Sequence, residues 1–537
     1  MIEKIRIKGY RKFRDVTLCP HPSFNIMVGE NEAGKSTLLE ALGLALTGRV
    51  NGRPAGEELN PYWFNQNLVA EFFVQRSEGH QVAPPEITIE VFLADRDEFQ
   101  RNLHGAHNSE VPTRECAGVC LRVFPNPEYG SEIEAHLASD TSILPVEYYK
   151  VEWRSFKDAV LTAKPKELTT AIIDSRTIRS TSGVDFHLRQ ILHDHLAPEE
   201  KAAVSLAFRS VKEQMTTGHL QDINAKMALL EGSLDSEPLS LAMDQSARGS
   251  WDASVVPHVA EVPFAMAGQG QQAAVKIALA MGHKASSARV VMIEEPEKHL
   301  SHASLNKLLH RVEKLAGDDQ QLFITTHSSF VLNRLGLDAL MFVSNGAVAS
   351  LEDISAGTVD YFKKLPGYDT LRMVLADRFV LVEGPSDEIL FERFYKAAMD
   401  KRPIEDGIDV ISMRGLALKR SLELAKALGK RCAALRDNDG NEVADLIAEL
   451  GDLVLAGSRE VFIGDKSLGA TLEPQLLAVN TDDALMRRAL GVTAHANLST
   501  WMTNNKTEGA IRLAVTEETI VAPQYFTDAI EFISAGL

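Results

Sequence analysis

A nine-residue segment near the start of the chain constrains the fold more than any other feature. Gly29–Thr37 reads Gly-Glu-Asn-Glu-Ala-Gly-Lys-Ser-Thr and satisfies the pattern G-x-x-x-x-G-K-[ST]. A short apolar run at 24–28 precedes it, and 36–46 carries apolar residues at helical spacing. A strand, a glycine-rich turn and a helix in this order predict an α/β fold in which backbone N–H groups face phosphate oxygens at the helix N-terminus.

The side chains of this segment have separate expected roles. Lys35 supplies a cation near the β and γ phosphates of a nucleotide, and the hydroxyl of Ser36 can ligate Mg²⁺. Asn31, Gly34 and Thr37 are the other candidate contacts of the segment to ATP.

Composition excludes several classes of protein. The 537 residues allow about three to five domains. The net charge of −18 argues against coating nucleic acid by bulk charge, but it leaves a local basic groove open. Four cysteines are too few for a disulfide scaffold, and we expect Cys116 and Cys120 to be buried thiols. The N-terminus alternates apolar and charged residues, and no run approaches the roughly 20 apolar residues of a membrane span, so we expect a cytoplasmic protein without a membrane partner.

Strand-like runs alternate with helical segments and predict mostly parallel sheets in both halves of the chain. The predicted strands are 5–8, 24–28, 87–93, 290–293, 322–326, 340–343, 379–382, 410–412, 432–435 and 461–463. Residues 51–85 are rich in Pro, Asn and Gly and are interpreted as a surface excursion. Residues 164–241 are charged and mostly helical in pattern, with helices predicted at 186–196 and 200–215.

Segments far from the phosphate loop match the rest of a nucleotide-hydrolysing site. Glu294 and Glu295 end the apolar run 290–293, where the first would hold Mg²⁺ through water and the second would polarise the attacking water. Such a strand end is common by itself. Its companions here are glycine-rich 267–272 with Gly268 and Gly270, the run Glu297-Lys298-His299-Leu300, and His327 after the strand 322–326. The glycines could meet a γ-phosphate at a helix N-terminus, and His327 could sense it.

These residues resemble the ABC-type ATPase heads of the SMC, Rad50 and RecF group. The resemblance implies that the phosphate loop of one head faces the Gly268 segment of another, and that a helical region separates Lys35 from Glu294. The sequence departs from these heads at two places. The glycine-rich segment 267–272, which corresponds to their signature segment, lacks the Ser-Gly-Gly-Gln form, and Glu294 replaces the usual Asp. We therefore expect ATP binding with slow hydrolysis.

A second group of acids lies in the C-terminal third. The run 379–382 leads to Glu383, with Asp387 four residues later, and the run 432–435 leads to Asp437 and Asp439. Acids at the carboxyl ends of parallel strands converge where α/β sheets bind ligands. Like charges so close are costly without cations, and Mg²⁺ is the hard, oxygen-preferring candidate, with Mn²⁺ or Ca²⁺ also possible. Either segment by itself is also compatible with a solvated acidic turn.

Together these segments resemble the TOPRIM domain, and with Glu473 and Lys506 they resemble the OLD family of nucleases, which join an ABC-type head to a C-terminal TOPRIM domain. The resemblance implies that Glu383, Asp387, Asp437, Asp439 and Glu473 hold one or two metal ions for phosphodiester hydrolysis, while Lys506 offsets phosphorane charge. The expected fold class is α/β, an ABC-type ATPase head with a helical insertion followed by a Rossmann-like TOPRIM domain. The expected domain limits are 1–163 for the first ATPase lobe, 164–241 for the helical insertion, 242–367 for the second lobe and 368–537 for the TOPRIM domain.

The leading hypothesis is an ATP-regulated, metal-dependent DNA endonuclease that serves anti-phage defence or DNA processing. We expect DNA as a partner, a homo-oligomer (dimer or tetramer) formed through the helical region, and a partner protein if the chain belongs to a defence system. Seven basic residues could form a phosphate-tracking groove or a solvated helix face, and they are Arg414, Lys419, Arg420, Lys426, Lys430, Arg431 and Arg436. One alternative is a RecF-like or Rad50-like DNA clamp with a noncatalytic TOPRIM domain. Another is a topoisomerase or primase part, for which we find no nucleophilic Tyr with supporting residues.

Overall fold

The computed structural model describes most of the chain, which divides into two compact units. The residues that it does not describe are 51, 97–98, 100–101, 139–141, 166–167, 174–195, 229–239, 246–250, 252–257, 260, 281–288, 299, 316–319, 336–338, 345, 351–353, 365–367, 414–416, 494 and 537. The first unit comprises Met1–Asn25, Ala33–Thr326 and Asn345–Ala347, and the second comprises Ile26–Glu32, His327–Ser344 and Val348–Leu537.

Strands and helices are numbered along the chain. The strands are β1 (Ile2–Tyr10), β2 (Phe13–Leu18), β3 (Phe24–Val28), β4 (Arg49–Val50), β5 (Arg53–Pro54), β6 (Ile87–Leu93), β7 (His104–Gly105), β8 (Cys116–Pro125), β9 (Tyr149–Ser155), β10 (Thr170–Ile173), β11 (His258–Val259), β12 (Val262–Pro263), β13 (Val290–Glu294), β14 (Gln321–Thr325), β15 (Leu340–Ser344), β16 (Ala347–Ser350), β17 (Arg378–Val382), β18 (Ile408–Ser412), β19 (Arg431–Arg436) and β20 (Arg459–Ile463).

The α-helices are α1 (Lys35–Thr47), α2 (Ala55–Glu58), α3 (Gln66–Ser77), α4 (Gly130–Leu137), α5 (Pro198–Gln214), α6 (Gln221–Met227), α7 (Gln269–Ala280), α8 (His302–Leu315), α9 (Ser329–Leu335), α10 (Ala356–Lys364), α11 (Tyr368–Leu375), α12 (Pro385–Met399), α13 (Leu418–Ala427), α14 (Val443–Ala448), α15 (Leu472–Val479), α16 (Asp483–Leu490), α17 (Leu498–Asn504), α18 (Lys506–Val515) and α19 (Gln524–Ser534). Single turns of 3₁₀-helix lie at Pro61–Trp63, Pro127–Tyr129, Val146–Tyr148, Phe264–Met266, Pro403–Asp406, Gly451–Leu453 and Lys466–Leu468, and a π-helical turn lies at Met215–His219.

The first unit contains an antiparallel sheet and a set of parallel strands. The antiparallel strands follow the order β2-β1-β6-β8-β7, with β9 also paired to β8. Along β1 the side chains of Ile5 and Ile7 are fully buried while the residues between them reach the surface, as expected of a strand with one face on the core. The strands β10, β13 and β14 are parallel neighbours in that order.

Helix α1 follows the phosphate loop and is held at its C-terminus. Its apolar face buries Leu38 and Leu42, and the indole nitrogen of Trp153 donates a hydrogen bond to the carbonyl of Ala45 at 2.8 Å. Gly48 ends the helix with a φ of 65°, and a Cβ there would lie 2.5 Å from the Trp153 ring. Because both the left-handed backbone and this contact exclude a side chain, the helix end requires glycine.

The second unit is built on a parallel sheet with the strand order β18-β17-β19-β20. Helices α12 and α19 bury large aromatic side chains in its core, including Phe391, Phe394 and Phe526. Phe394 and Phe526 meet edge to face at a centroid distance of 5.6 Å. Ile26–Val28 of β3 pairs in parallel with β15 in the same unit.

Most predicted strands are present with similar bounds. Several elements were missed, among them β2, β9 and β16, and three others show why. Helix α3 (Gln66–Ser77) lies in the predicted surface excursion, where Phe72 is the buried residue of the helix, so the apolar periodicity is weak. Strand β10 lies in the stretch interpreted as helical and is defined by pairing with distant β13. Strand β8 is central and mostly buried on both faces, so its sequence lacks the alternation of apolar and polar residues that marks a half-exposed strand. The helix predicted at 200–215 corresponds to α5, and the one at 186–196 lies almost wholly outside the described residues.

The cysteines are free, with Cys116, Cys120 and Cys432 buried and Cys19 exposed, which confirms the expectation for the first two. Burial raises the pKa of the Cys120 thiol to about 12. Among the described helices, none is both long and apolar enough to cross a bilayer.

Candidate functional site

The phosphate loop has the backbone conformation that its glycines predict. Gly34 has a φ of 115° immediately before α1, and a Cβ there would lie 3.2 Å from the ring of Phe13. Glu32 is also left-handed, with a φ of 64°. Lys35, at the first position of the helix, is only 6% exposed. The loop therefore presents the N-terminal N–H groups of α1 together with a desolvated cation, which is suited to phosphate oxygens.

Two predicted Mg²⁺ ligands of the nucleotide site lie together. The hydroxyl of Ser36 donates a hydrogen bond to the carboxylate of Glu294, the last residue of β13. The next residue, Glu295, has a φ of 46°, and its backbone N–H donates to the carbonyl of Thr325 at 2.9 Å. Its carboxylate forms an ion pair with Lys298.

The remaining residues predicted for the nucleotide site lie at strand and helix ends. Gly268 immediately precedes α7 and Gly270 lies in its first turn, and the carbonyl of Gly268 accepts the N–H of Gln272 at 3.0 Å. A Cβ at Gly268 would meet no atom of the described residues within 4 Å, so the space beside it is open as far as those residues define it. His327 follows β14 and belongs to the second unit. His299 lies outside the described residues.

Acids of the second unit meet where β17 and β19 end. These two strands are direct parallel neighbours. Glu383 follows β17, and its Oε1 accepts the backbone N–H of Asp437 at 3.1 Å, just after β19. Asp439, two residues further, is exposed with a φ of 50°, and its backbone N–H donates to the carbonyl of Ala470 at 3.1 Å. Adjacent strands thus bring three of the predicted acids to one sheet edge.

Asp387 has a structural contact besides its predicted role. It is the third residue of α12, and its Oδ2 accepts the backbone N–H of Gly384 at 2.9 Å. This contact is one of the two hydrogen bonds of a capping box, the one from the backbone N–H of the N-cap residue to the side chain of the third helical residue. Burial and the charges of Glu383 and Glu473 raise the pKa of Asp387 to about 6.

The last predicted acid and the predicted lysine are paired. Glu473 lies in the first turn of α15 with its side chain only 6% exposed. Its Oε2 accepts a hydrogen bond from the hydroxyl of Thr471 at 2.9 Å and lies 3.4 Å from the Nζ of Lys506. Lys506 begins α18, and its side chain is about half exposed at 49%.

The donor set fits a hard divalent cation. Burial, followed by the charges of Glu383, Asp387 and Glu473, raises the pKa of Asp437 to about 8. Burial also raises the pKa of Glu383. Among the described residues, no three carboxylate, imidazole or thiolate side chains are already grouped closely enough to hold a metal ion. Carboxylate oxygens that repel one another would be brought closer by a bound Mg²⁺ or Mn²⁺, which neutralises their charge.

Two residues near the acids escaped sequence reasoning. Asn438, fully buried between the two aspartates, donates hydrogen bonds to the carbonyls of Gly464 at 3.0 Å and Gly469 at 2.8 Å. It fixes the loop that carries both aspartates, but in sequence it looks like an ordinary turn residue. Tyr525 is 6% exposed, and among the described residues its hydroxyl has no hydrogen-bond partner. The charge of Asp437, after burial, contributes to a raised pKa of this tyrosine.

Family models match three parts of the chain. A model of an Overcoming lysogenization defect protein-like TOPRIM domain matches residues 374–439, and an AAA domain model matches residues 4–184. A third model, described as an AAA domain, putative AbiEii toxin, Type IV TA system, matches residues 252–333. The chain carries an AAA-type ATPase domain followed by an OLD-like TOPRIM domain. The domain pair expected from the resemblance and the α/β fold class are therefore confirmed.

Similar proteins match parts of the chain. The DNA replication and repair proteins RecF of Idiomarina loihiensis and Desulforamulus reducens are 44% identical over 55 residues and 38% identical over 47 residues. These alignments cover 10% and 9% of this chain and only 15% and 13% of the RecF proteins. The SmcHead bound to the C-winged helix domain of ScpA is 16% identical, with coverages of 65% and 96% and a TM-score of 0.34. The C-terminal region of the Burkholderia pseudomallei OLD protein is 19% identical, with coverages of 30% and 97% and a TM-score of 0.25.

The predicted basic cluster of the TOPRIM domain is dispersed. Lys426 pairs with Asp452 at 2.5 Å, and Lys430 is buried with its Nζ 2.6 Å from the carbonyl of Ala376. Arg420 and Arg431 donate to the backbone carbonyls of Gly357 and Ala535 and lie over the rings of Tyr361 and Phe532. Arg414 is outside the described residues. Lys419 and Arg436 remain, and both line a cavity beside Glu383.

Proposed function

We propose that this chain is an ATP-regulated, metal-dependent DNA endonuclease, acting in anti-phage defence or DNA processing, whose TOPRIM site hydrolyses phosphodiester bonds. The observation that carries the proposal is the meeting of Glu383 and Asp437 at the ends of adjacent parallel strands. Asp439 follows on the same loop, and the Glu473–Lys506 pair supplies a further acid and a mobile cation.

Each residue has a proposed role in this chemistry. Glu383, Asp387, Asp437, Asp439 and Glu473 would hold one or two Mg²⁺ or Mn²⁺ ions. A bound ion would lower the pKa of a water molecule and offset charge on the leaving oxygen. Lys506 is half exposed, so its ammonium group is free to reorient from Glu473 toward the negative charge that develops on the phosphorus oxygens. Asn438 would keep the two aspartates in position through the loop.

Nicking of supercoiled plasmid in Mg²⁺ and in Mn²⁺ tests the proposal. We expect cleavage by the wild type and its loss in Asp437→Asn and Asp439→Asn. Asparagine is preferred to alanine at 439 because it tolerates the left-handed backbone, so a loss cannot be assigned to strain. Asp445→Asn is the matched control, since Asp445 is an exposed acid on α14. Unchanged nicking by Asp437→Asn would favour the RecF-like clamp with a noncatalytic TOPRIM domain.

The ATPase domain is proposed to bind ATP and hydrolyse it slowly. Lys35 and the Ser36–Glu294 pair would meet the phosphates and their Mg²⁺. Because Glu295 is engaged by Lys298, its carboxylate is less available to polarise water. The open space beside Gly268 would receive the phosphates held by a second copy of the chain, so the active form would be a homo-oligomer.

Regulation of the nuclease by ATP is supported by contacts of Lys430. The second unit joins the TOPRIM residues with Ile26–Glu32 of the phosphate-loop region and with the segment that begins at His327. Within it, the Nζ of Lys430 lies 4.5 Å from the ring centroid of Phe342 on β15 and bonds the carbonyl of Ala376 before β17. Lys430 therefore connects a strand of the ATPase domain to the first strand of the TOPRIM sheet.

Lys430→Met tests this connection, since methionine keeps the apolar stem and removes the charge. We expect nicking without ATP to persist while the effect of ATP on the nicking rate disappears. Lys426→Met serves as the control because, among the described residues, the ammonium group of Lys426 pairs with exposed Asp452 and with no other acid. An ATP effect of wild-type size in Lys430→Met would contradict the proposed route.

A further inference from the structure

A cavity of about 390 Å³ opens beside Glu383 in the TOPRIM domain. Its volume lies within the roughly 300–1,000 Å³ of small-molecule sites, so it has room for one nucleotide-sized group. Its walls come from α13, from β19 and from the segments that follow β17, β18 and α14, and they include Glu383, Met413, Lys419, Arg436, Glu449 and Leu450. The cavity therefore shares Glu383 with the acid cluster, whereas its other lining residues lie outside that cluster.

The two cations of this cavity are available to a ligand. Lys419 is exposed and Arg436 is half-buried, and within the described part of the chain neither side chain makes a hydrogen bond or an ion pair. The other described members of the predicted basic cluster are engaged by Asp452, backbone carbonyls or aromatic rings. Two cations that have no hydrogen bond or ion pair in the described part of the chain, beside a site for phosphodiester hydrolysis, are placed to contact a substrate phosphate.

The remaining walls fit a base better than a second phosphate. Met413 and Leu450 are buried apolar residues that can contact a base or a sugar. The planar guanidinium of Arg436 can stack on a base, as arginine does in single-strand recognition. The carboxylate of Glu449 would repel phosphate, but it can accept a hydrogen bond from an exocyclic amino group.

We infer that this cavity receives one unpaired nucleotide next to the scissile phosphate. A base inside an intact duplex is stacked and paired, and bringing it into a pocket requires extrusion at a cost of a few kcal/mol. The substrate class is therefore single-stranded DNA, or duplex DNA that is unpaired at the cleavage position by fraying, by a mismatch or, as in a plasmid, by negative supercoiling. Arg436 stacks on the base and Lys419 binds the adjoining phosphate. The inference rests on the proposed nuclease function, because it places the nucleotide beside Glu383.

The experiment compares a labelled single-stranded oligonucleotide with its intact duplex, using the full-length protein and Mn²⁺. The wild-type cleavage position is mapped first, and abasic sites are then placed at each nucleotide flanking it. We expect Arg436→Ala to lower kcat/KM roughly 5- to 150-fold on the unmodified strand, as for loss of one stacking partner. An abasic site at one flanking position should cause a similar loss in the wild type and little further loss in Arg436→Ala.

Lys419 and a matched lysine complete the design. Lys419→Ala should raise KM on unmodified and abasic strands alike, and Lys419→Arg should restore it, because a phosphate contact needs the charge and not the base. Lys426→Ala, which removes an exposed lysine outside the cavity, should leave KM unchanged on the unmodified strand and on the abasic strands.

Failure of the inference and failure of the proposed function give different results. Equal cleavage of single strand and duplex, together with additive losses for Arg436→Ala and every abasic position, would overturn the nucleotide pocket while leaving the nuclease in place. No cleavage of either DNA by the wild type would refute the nuclease itself, and the inference with it.

Discussion

Replacing Asp387 with asparagine and with alanine separates two roles of one carboxylate. Both variants remove the negative charge, so the relief of repulsion from Glu383 and Glu473 is common to them. Asparagine keeps an oxygen that can accept the N–H of Gly384, whereas alanine loses this 2.9 Å contact. The difference between the variants therefore isolates the helix cap, which is worth about 0.5–2 kcal/mol.

Native-state hydrogen exchange at the start of α12 measures this difference. At 1.4 kcal/mol per tenfold, the Gly384 amide should exchange about 2- to 30-fold faster in Asp387→Ala than in Asp387→Asn. Saturating Mn²⁺ should slow exchange in the wild type, because a ligand that binds only the folded state stabilises it, and should do so much less in both variants. Asp482→Ala, which removes the cap of α16, should leave exchange at Gly384 unchanged. Equal exchange in the two Asp387 variants, or a full Mn²⁺ effect in Asp387→Asn, would refute the reasoning.

Three other predictions concern ATP, pH and assembly. Lys35→Ala should weaken ATP binding about 10- to 150-fold, the loss of a charged hydrogen bond worth roughly 1.5–3 kcal/mol, whereas exposed Lys307→Ala should not; calorimetric titration measures both. The pKa of Asp437 is about 8 in the folded protein, whereas an aspartate in an unfolded chain has a pKa of about 4. Between these pH values the folded state holds a proton on Asp437 that the unfolded state has lost. In EDTA, Asp437 should therefore lower the melting temperature as pH rises from about 4 through about 8. Asp437→Asn should have a flatter profile, and an identical slope would contradict this assignment. Light scattering should give a dimer or tetramer at micromolar concentration, and the mass of a single chain would refute assembly through the helical region.

Local apolar runs predicted many of the strands, whereas the expectation of mostly parallel sheets in both halves is wrong for the antiparallel sheet of the first unit. Strands β3 and β6 have the predicted bounds, 24–28 and 87–93, because each is a short and mainly apolar run that follows a proline-containing segment. Strand β10 is an apolar and β-branched run of only four residues in a stretch of helical pattern, and it pairs with β13 more than a hundred residues away in sequence. Hydrophobic periodicity within a short stretch of sequence cannot detect such non-local pairing.

The candidate site was predictable in its acids and not in its surroundings. Glu383 and Asp437 end apolar runs, so the convergence of parallel strands predicts their meeting. The capping contact of Asp387 follows from a helix that begins at Pro385, yet sequence alone assigns this acid only to metal. Sequence proximity grouped seven basic residues, whereas, of the six that the structure describes, the directions of α13 and β19 leave Lys419 and Arg436 in the cavity beside Glu383. A side chain's direction depends on the element that carries it, which spacing along the chain does not give.

The net charge of −18 bears on how DNA would bind. Repulsion from distant acids is screened beyond about 8 Å at physiological ionic strength, so binding depends on charges at the site. Lys419 and Lys506 contribute at most two phosphate contacts there, because Arg436 stacks on the base. Release of counterions from a single strand would then give a slope of about −1.4 for log affinity against log salt. Divalent ions at the five acids would add attraction that monovalent salt does not supply. DNA binding should therefore depend weakly on NaCl and strongly on Mn²⁺, and a steep NaCl slope in fluorescence anisotropy would show that a basic surface elsewhere on the protein holds the DNA.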